Sequence, residues 1–178
     1  AKLRFARALS AAGHNVELIY GAVNQGHTLP VSDVFKISTL NKLRVSKMFY
    51  FLVKYFKNSS PDIVFSEGDH LNVIVFSAAV FSCSKAKISC SSRVTPFDTY
   101  SNKPFSKGWF LKVVMNLVRF RADALTCVSQ DMVEQYKLIF KNSKHFCIYN
   151  IIVDESSKEK MLLTNDEPWF RNRDCPII

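Results

Sequence analysis

Apolar residues along this chain switch repeatedly between a helical spacing and short strand-like runs. Phe5, Leu9 and Ala12 recur every three or four residues, which is the spacing of one helix face. Gly13 follows as a helix stop, and residues 16–20 have the length and composition of a buried strand. The same switching continues to about residue 149 and predicts a domain of alternating helices and strands.

Short polar connections join the predicted elements. Asp69 and Asp131 precede two of the helices and are predicted to cap them. Strands that alternate with helices form a mostly parallel sheet through right-handed crossovers, so we predict an α/β, doubly wound, Rossmann-like domain. The further predicted strands cover 34–37, 63–66, 86–91, 124–129 and 145–149, and the further helices cover 42–57, 70–82, 105–121 and 132–141.

Polar residues follow directly after several of these strands. In parallel α/β sheets ligands bind at the carboxyl ends of the strands, so these side chains are expected to converge on one edge. His70 begins a predicted helix, and its imidazole and the helix-terminal N–H groups would face that cleft. Arg93 closes a buried strand and suits bidentate phosphate binding, although a structural salt bridge explains it nearly as well. This rule gives Glu67, Asp69, His70, Arg93, Ser129 and Asn150 as candidate substrate-binding residues.

Positive charge is concentrated in two segments of the chain. Of 24 lysines and arginines, six lie in residues 34–61 and five in residues 99–122, and neither segment contains an acidic residue. The net charge of +9 therefore originates in these segments. Clustered basic residues are typical of proteins that bind nucleic acid or an anionic membrane surface.

Of these two kinds of partner, the predicted helix 105–121 indicates an anionic membrane surface. Its apolar arc is wider than one buried face requires, and aromatic side chains beside cations suit the headgroup region. The predicted helix 42–57 is instead typical of a core helix with a solvated lysine face. We expect no nucleic-acid partner, because the sequence lacks aromatic-rich strand motifs for base stacking. The residues predicted to contact the membrane are Lys103, Lys107, Trp109, Lys112, Arg119 and Arg121.

Cysteine usage indicates a reducing compartment. The five cysteines include no C-x-x-C pair, and Cys90, Cys127 and Cys147 lie within apolar strand-like runs. Buried thiols of this kind are usually structural. We therefore expect reduced cysteines, no metal site and a cytoplasmic location.

A series of short motifs resembles the amino-terminal domain of glycosyltransferase family 4, the retaining enzymes with two facing Rossmann-like domains. P-D-I-V-F-S at 61–66 and S-S-R at 91–93 are similar to strand ends of that family. The resemblance covers nearly the whole chain and depends on the order and spacing of the motifs, with Ile151 standing where the family usually has proline. The other matching segments are 7–16, 122–129, 148–150 and 168–170, with His70 and Asn72 in the turn after 61–66.

This resemblance implies an enzyme that transfers a sugar from a nucleotide diphosphate sugar to a lipid-linked or cell-surface polysaccharide acceptor. No further cofactor is implied. His70 would contact donor sugar and acceptor as the catalytic residue, with Asn72 in the substrate-binding turn. The implied location is the inner face of the membrane, on which the enzyme would lie peripherally.

The resemblance also implies a domain organisation. Residues 1–154 would form the acceptor-side domain, and residues 155–178 would form the linker and the start of a donor-binding domain. The family's first strand and its donor motif would then lie outside this chain, so we expect the chain alone to be inactive.

The sequence leaves two other classes of function open. A non-catalytic α/β module that recognises anions or membrane is compatible with the same residues. A Rossmann oxidoreductase is disfavoured, because no G-x-G-x-x-G follows any predicted strand.

Overall fold

A computed structural model describes residues 2–23, 28–141, 145–150 and 162 of the chain. The helices are α1 (Lys2–Ala11), α2 (Phe49–Ser59), α3 (Asp69–Phe81), α4 (Pro96–Thr99), α5 (Lys107–Val118) and α6 (Gln130–Ile139). The strands are β1 (Glu17–Tyr20), β2 (Lys36–Thr39), β3 (Ile63–Glu67), β4 (Lys87–Ser92), β5 (Ala124–Cys127) and β6 (His145–Cys147). Two 3₁₀ turns, Val45–Met48 and Arg119–Arg121, adjoin α2 and α5.

Four strands form a sheet in the order β3-β4-β5-β6, and every pair in it is parallel. Cys90 of β4 lies opposite Ser66 on one side and Leu125 on the other. The structure thus confirms the predicted α/β class, with a parallel sheet flanked by helices and consistent with a Rossmann-like fold.

The first two strands form a separate parallel pair, β1-β2. Glu17 of β1 accepts bonds from Lys36 Nζ at 3.0 Å, Ser38 Oγ at 2.9 Å and Tyr55 Oη of α2 at 3.0 Å. Burial of Glu17 opposes its ionisation, but these bonds outweigh that effect and lower the pKa of the carboxyl. The carboxylate therefore ties β1 to both β2 and α2.

Helices cover both faces of β3. Phe65 packs against Phe5 of α1 with ring centroids 5.0 Å apart, whereas the next residue, Ser66, donates to Asn72 of α3 at 2.6 Å. Consecutive strand residues point to opposite faces of a sheet. Helices α1 and α3 therefore lie on opposite sides of β3, which is the doubly wound arrangement.

The core lies between α3 and the four-stranded sheet. Phe76 and Ala79 of α3, Ile88 of β4 and Cys127 of β5 have no exposed surface, and Met115 of α5 packs into the same cluster. Nine of the thirteen residues of α3 are apolar, which suits a helix enclosed by sheet and neighbouring helices.

Two of the three cysteines predicted to be buried, Cys90 and Cys127, are buried in the structure. Cys90 and Cys127 are almost fully buried, and burial raises the pKa of each thiol to about 12. Both are therefore protonated at neutral pH. Cys147 is only half-buried.

Several element boundaries differ from the prediction. The second strand lies two residues later than expected, at Lys36–Thr39, and the predicted helix 42–57 begins as a 3₁₀ turn at Val45 before α2. Residues 96–99, predicted as loop, form a single helical turn that begins with proline, which suits a helix start.

No helix within residues 2–23, 28–141 and 145–150 is long and apolar enough to span a bilayer. The predicted linker and second-domain start at 155–178 fall outside the described residues, apart from Leu162. Ile151 and the segment 168–170 lie outside them as well.

Candidate functional site

Glu67, the last residue of β3, and Arg93, the first residue after β4, meet at the carboxyl edge of the sheet. Arg93 Nε lies 2.9 Å from Glu67 Oε1, and Lys2 Nζ of α1 lies 3.8 Å from Glu67 Oε2. Together with Leu3 and Tyr20 these side chains line a cavity of about 320 Å³, which we call the Glu67 cavity. The predicted convergence holds for this pair, and the guanidinium charge is engaged by a carboxylate.

Asp69 is not a helix cap, and that prediction was wrong. Gly68 precedes α3 with a φ of 95°, and no side chain caps the helix. The left-handed turn at Gly68 directs Asp69 inward, where it is buried and accepts from Ser92 Oγ at 2.7 Å and Tyr136 Oη at 2.6 Å. Asp69 thus joins the ends of β3 and β4 to α6.

Tyr136 and Tyr100 are buried tyrosines of the same cluster. Burial is the main cause that raises the pKa of both phenols, and the charge of Asp69 adds to it. Both hydroxyls therefore stay protonated around Asp69. No local pattern indicates this contact, because Tyr136 lies 67 residues from Asp69 within an ordinary helical pattern.

Asn72 also has a structural position. Its Oδ1 accepts from Ser66 Oγ at 2.6 Å, its Nδ2 donates to the carbonyl of Ser91 at 3.1 Å, and the side chain is fully buried. The amide thus links α3 to β3 and β4. Both Asn72 and Asp69 support the carboxyl edge without facing solvent there.

His70 is exposed at the start of α3 and lines a second cavity, of about 370 Å³, which we call the His70 cavity. The rest of its wall comes from α4, the loop after it and the first turn of α5. Gly108 allows these parts to meet, because a Cβ there would lie 3.0 Å from Ser101 N and Thr99 O. The remaining lining residues are Phe97, Asp98, Tyr100, Ser106 and Lys107.

The carboxyl edge thus carries two cavities, with Glu67 and Arg93 in one and His70 in the other. The strand-end rule leads to both, since residues 96–101 lie in the segment that connects β4 to α5. The same rule could therefore have indicated Asp98 and Ser101 as site residues. It could not have indicated Lys2, because Lys2 lies before the first described strand.

Ser129 and Asn150 follow β5 and β6 without entering either cavity. Ser129 is the residue before α6, and its Oγ accepts from the backbone N–H of Met132 at 3.3 Å. It therefore caps the helix that Asp131 was predicted to cap. Asn150 is exposed after the short strand β6.

The cations predicted to contact the membrane divide into two groups. Lys103 and Lys107 are exposed, and Lys112 Nζ donates to Asn102 at 2.7 Å. Arg119 donates to the carbonyl of Lys141, and Arg121 donates to two backbone carbonyls, those of Ser84 and Ala86. The two arginines therefore bind the protein's own backbone.

Helix α5 presents three different faces. Met115 and its neighbours Leu111, Val114 and Val118 pack on the core. Lys112, Asn116 and Arg119 form a polar stripe. The face opposite the core is apolar and exposed; this α5 face consists of Phe110 (51% exposed), Val113 (37%), Leu117 (68%) and Phe120 (71%).

Aromatic residues continue this face to the first turn of α5. Phe105 is 82% exposed, and its ring lies 5.8 Å from Trp109, which is half-buried, and 6.4 Å from Phe110. Exposed apolar side chains in a contiguous group mark a surface that binds a partner or a membrane.

The polar side chains at the carboxyl edge include both acidic and basic groups. Hydroxyls, a carboxylate–guanidinium pair, an imidazole and an exposed ammonium are groups that bind sugars and phosphates. Among the described residues, no three His, Cys, Asp or Glu side chains are grouped so as to hold a metal ion.

No family model matches the chain, and no curated protein matches it significantly.

Proposed function

We propose that this chain is the acceptor-side domain of a retaining glycosyltransferase that works at an anionic membrane surface. The reaction would move a sugar from a nucleotide diphosphate sugar to a lipid-linked or cell-surface saccharide. As the resemblance implies, His70 would contact the donor sugar as well as the acceptor.

One observation carries the proposal beyond the motif resemblance. The His70 cavity is walled by Ser106, Lys107 and Gly108, which begin α5, so it opens beside the exposed aromatic group of Phe105 and Phe110. A ligand with a polar head and a hydrocarbon tail would find both environments side by side. A lipid-linked saccharide has this chemistry.

The side chains of the cavity have distinct parts in this proposal. The imidazole of His70 and the carboxylate of Asp98 would hydrogen-bond sugar hydroxyls. The ammonium of Lys107, at the start of α5, would pair with the phosphate that joins sugar to lipid, where the helix N-terminus also favours negative charge. The aromatic side chains would enter the headgroup layer.

The test is binding to nanodiscs that carry a polyprenyl-diphosphate-linked saccharide. We expect tighter binding than to nanodiscs with the polyprenyl diphosphate alone, and we expect His70→Ala to remove the difference. His14→Ala is the matched control, since His14 is exposed in the turn before β1 and lines neither cavity. Equal binding with and without the saccharide would contradict the proposal.

A second candidate is a non-catalytic module that binds anionic membrane. The ion pair between Arg93 and Glu67 favours it, because that pair leaves the guanidinium less available for a substrate phosphate. Binding that needs the α5 face but is unchanged by the saccharide and by His70→Ala would support this alternative.

A further inference from the structure

Two cysteines lie opposite each other on the last two strands of the sheet. Cys127 is the final residue of β5 and Cys147 is the final residue of β6, and the two are register partners in the parallel pairing of these strands. Partners in register point to the same face of a sheet, and neighbouring strands lie about 4.8 Å apart. A disulfide joins residues whose Cα atoms are about 4.4–6.8 Å apart. The backbone spacing of this pair therefore suits a disulfide bond.

The other described cysteines do not share this position. On its second side Cys127 faces Ser92 of β4, and Cys90 lies two residues before Ser92 on that strand. Cys83 is exposed after the end of α3. Among the described residues, Cys147 is thus the one cysteine that lies directly opposite Cys127.

The two thiols differ in their access to solvent. Cys127 has no exposed surface, whereas Cys147 is half-buried. Burial is the main cause that raises the pKa of Cys127 to about 12, and the charges of Asp69 and Cys147 add to it. The Cys127 thiol therefore stays protonated and closed to reagents in solution. A dissolved oxidant reaches Cys147 first.

Strand β6 can make the small adjustment that a sulfur–sulfur bond requires. It is three residues long, and within the described residues it pairs with β5 alone. Just beyond it, Ile148 donates its N–H to the carbonyl of Cys127 at 2.8 Å. Phe146 and Ile148 are 56% and 61% exposed, so little packing holds this edge of the sheet in place.

We propose that Cys127 and Cys147 form a disulfide when the protein encounters a peroxide, and that this bond fastens β6 to the sheet. The thiols are reduced otherwise, and a dithiol reductant restores them. This inference does not depend on the proposed function.

The reaction has two steps. The Cys147 thiolate attacks one oxygen of hydrogen peroxide, the O–O bond breaks, and the leaving hydroxide takes up the thiol proton as water, so that Cys147 becomes a sulfenic acid. The sulfur of Cys127 then bonds to that of Cys147 as the S–O bond breaks, and the hydroxyl leaves as water with the proton of Cys127. Both thiols are thereby oxidised to one disulfide, and the peroxide is reduced to water.

The experiment treats the full chain with hydrogen peroxide at neutral pH and without denaturant. The remaining thiols are alkylated, and the digested protein is analysed by mass spectrometry. We expect two peptides joined through Cys127 and Cys147, which separate on reduction. The same pair should form when Cys83 and Cys175 are both changed to Ser; Cys175 lies outside the described residues.

Two variants test the order of the steps. In Cys127→Ala the sulfenic acid at Cys147 has no partner thiol, so dimedone, which labels sulfenic acids, should label Cys147. In Cys147→Ser the buried Cys127 should stay a free thiol. Circular dichroism spectra that match the wild type report that each variant is folded.

Amide hydrogen exchange measures the effect on β6. The amide of Ile148 should exchange at least about tenfold more slowly in the oxidised protein than in the reduced one. The amide of Cys90, inside the four-stranded sheet, should be protected equally in both.

A Cys147 that stays reduced, or a Cys127 that stays free after Cys147 is oxidised, would overturn the proposal. A bond from Cys147 to Cys83, Cys90 or Cys175 would overturn it as well, because the strand register would then not select the partner. A bond between Cys127 and Cys147 without slower exchange at Ile148 would contradict the fastening of β6.

Discussion

His145 is buried against Tyr136, with ring centroids 4.6 Å apart, and neither of its ring nitrogens has a hydrogen-bond partner in the described part of the chain. Burial, aided by the positive charge of Arg119, lowers the pKa of the imidazole to about 4. The native state therefore holds this histidine neutral where an unfolded chain would protonate it.

A loss of stability on acidification follows from this depressed pKa. The imidazole of His145 in the unfolded chain has a pKa of about 6.5. Between that pH and about pH 4 the unfolded chain binds a proton that the folded chain does not bind, so unfolding becomes easier. We expect His145 to contribute a loss of about 3 kcal/mol over that range. Denaturant unfolding at a series of pH values measures it, and His145→Phe should flatten the profile. Parallel pH profiles for the two proteins would contradict the assignment.

Asp69 depends on the hydroxyls that surround it. Tyr136→Phe removes the donor 2.6 Å from Oδ2 and leaves a buried carboxylate with one fewer partner. We expect this change to lower the free energy of unfolding by about 1–3 kcal/mol, measured by denaturant titration. Tyr50→Phe, at a phenol that is 70% exposed, is the matched control and should be neutral. A neutral Tyr136→Phe would show that the bond does not stabilise the fold.

At the scale of elements, periodicity predicted the strands and long helices correctly, because burial on one or both faces dominates those segments. The ends of elements depend on contacts that no local pattern contains. Asp69 looks like a cap because it precedes an apolar run, yet the backbone of Gly68 turns it into the core. For the same reason the strand-end rule found Glu67, His70 and Arg93 but not their separation into two cavities.

Ser129 is another residue whose role depends on a contact at the end of an element. It was predicted to bind substrate, whereas in the structure it caps the N-terminus of α6. Ser129→Ala removes the acceptor for the Met132 N–H and should cost about 1 kcal/mol of stability. Ser129→Asp keeps an acceptor and adds a charge that the helix N-terminus favours, so it should retain stability. The midpoints of thermal unfolding of the wild type, Ser129→Ala and Ser129→Asp measure these differences in stability. If Ser129→Ala unfolds like the wild type, the cap is unimportant.

At the scale of the whole molecule, charge and exposed apolar surface coincide on α5. The basic segment 99–122 contains the α5 face, and its exposed ammonium groups, Lys103 and Lys107, lie at the end where Phe105 is exposed. Arg119 and Arg121 are held by backbone carbonyls, so they contribute less to a surface contact than the sequence predicts. Apolar insertion should therefore dominate over charge in any membrane attachment.

Two variants separate these contributions in co-sedimentation with vesicles of phosphatidylcholine and phosphatidylglycerol. Changing Phe110, Leu117 and Phe120 to Ser should abolish binding at every salt concentration, because the α5 face then has nothing to insert. Changing Lys103 and Lys107 to Gln should weaken binding at low salt by about 1 kcal/mol per lysine and change little at high salt. Leu138→Ser, at an exposed leucine of α6, is the control and should bind normally. Wild-type binding by a folded α5-face variant would place the membrane contact elsewhere, since salt does not screen the contribution of the exposed apolar surface of α5.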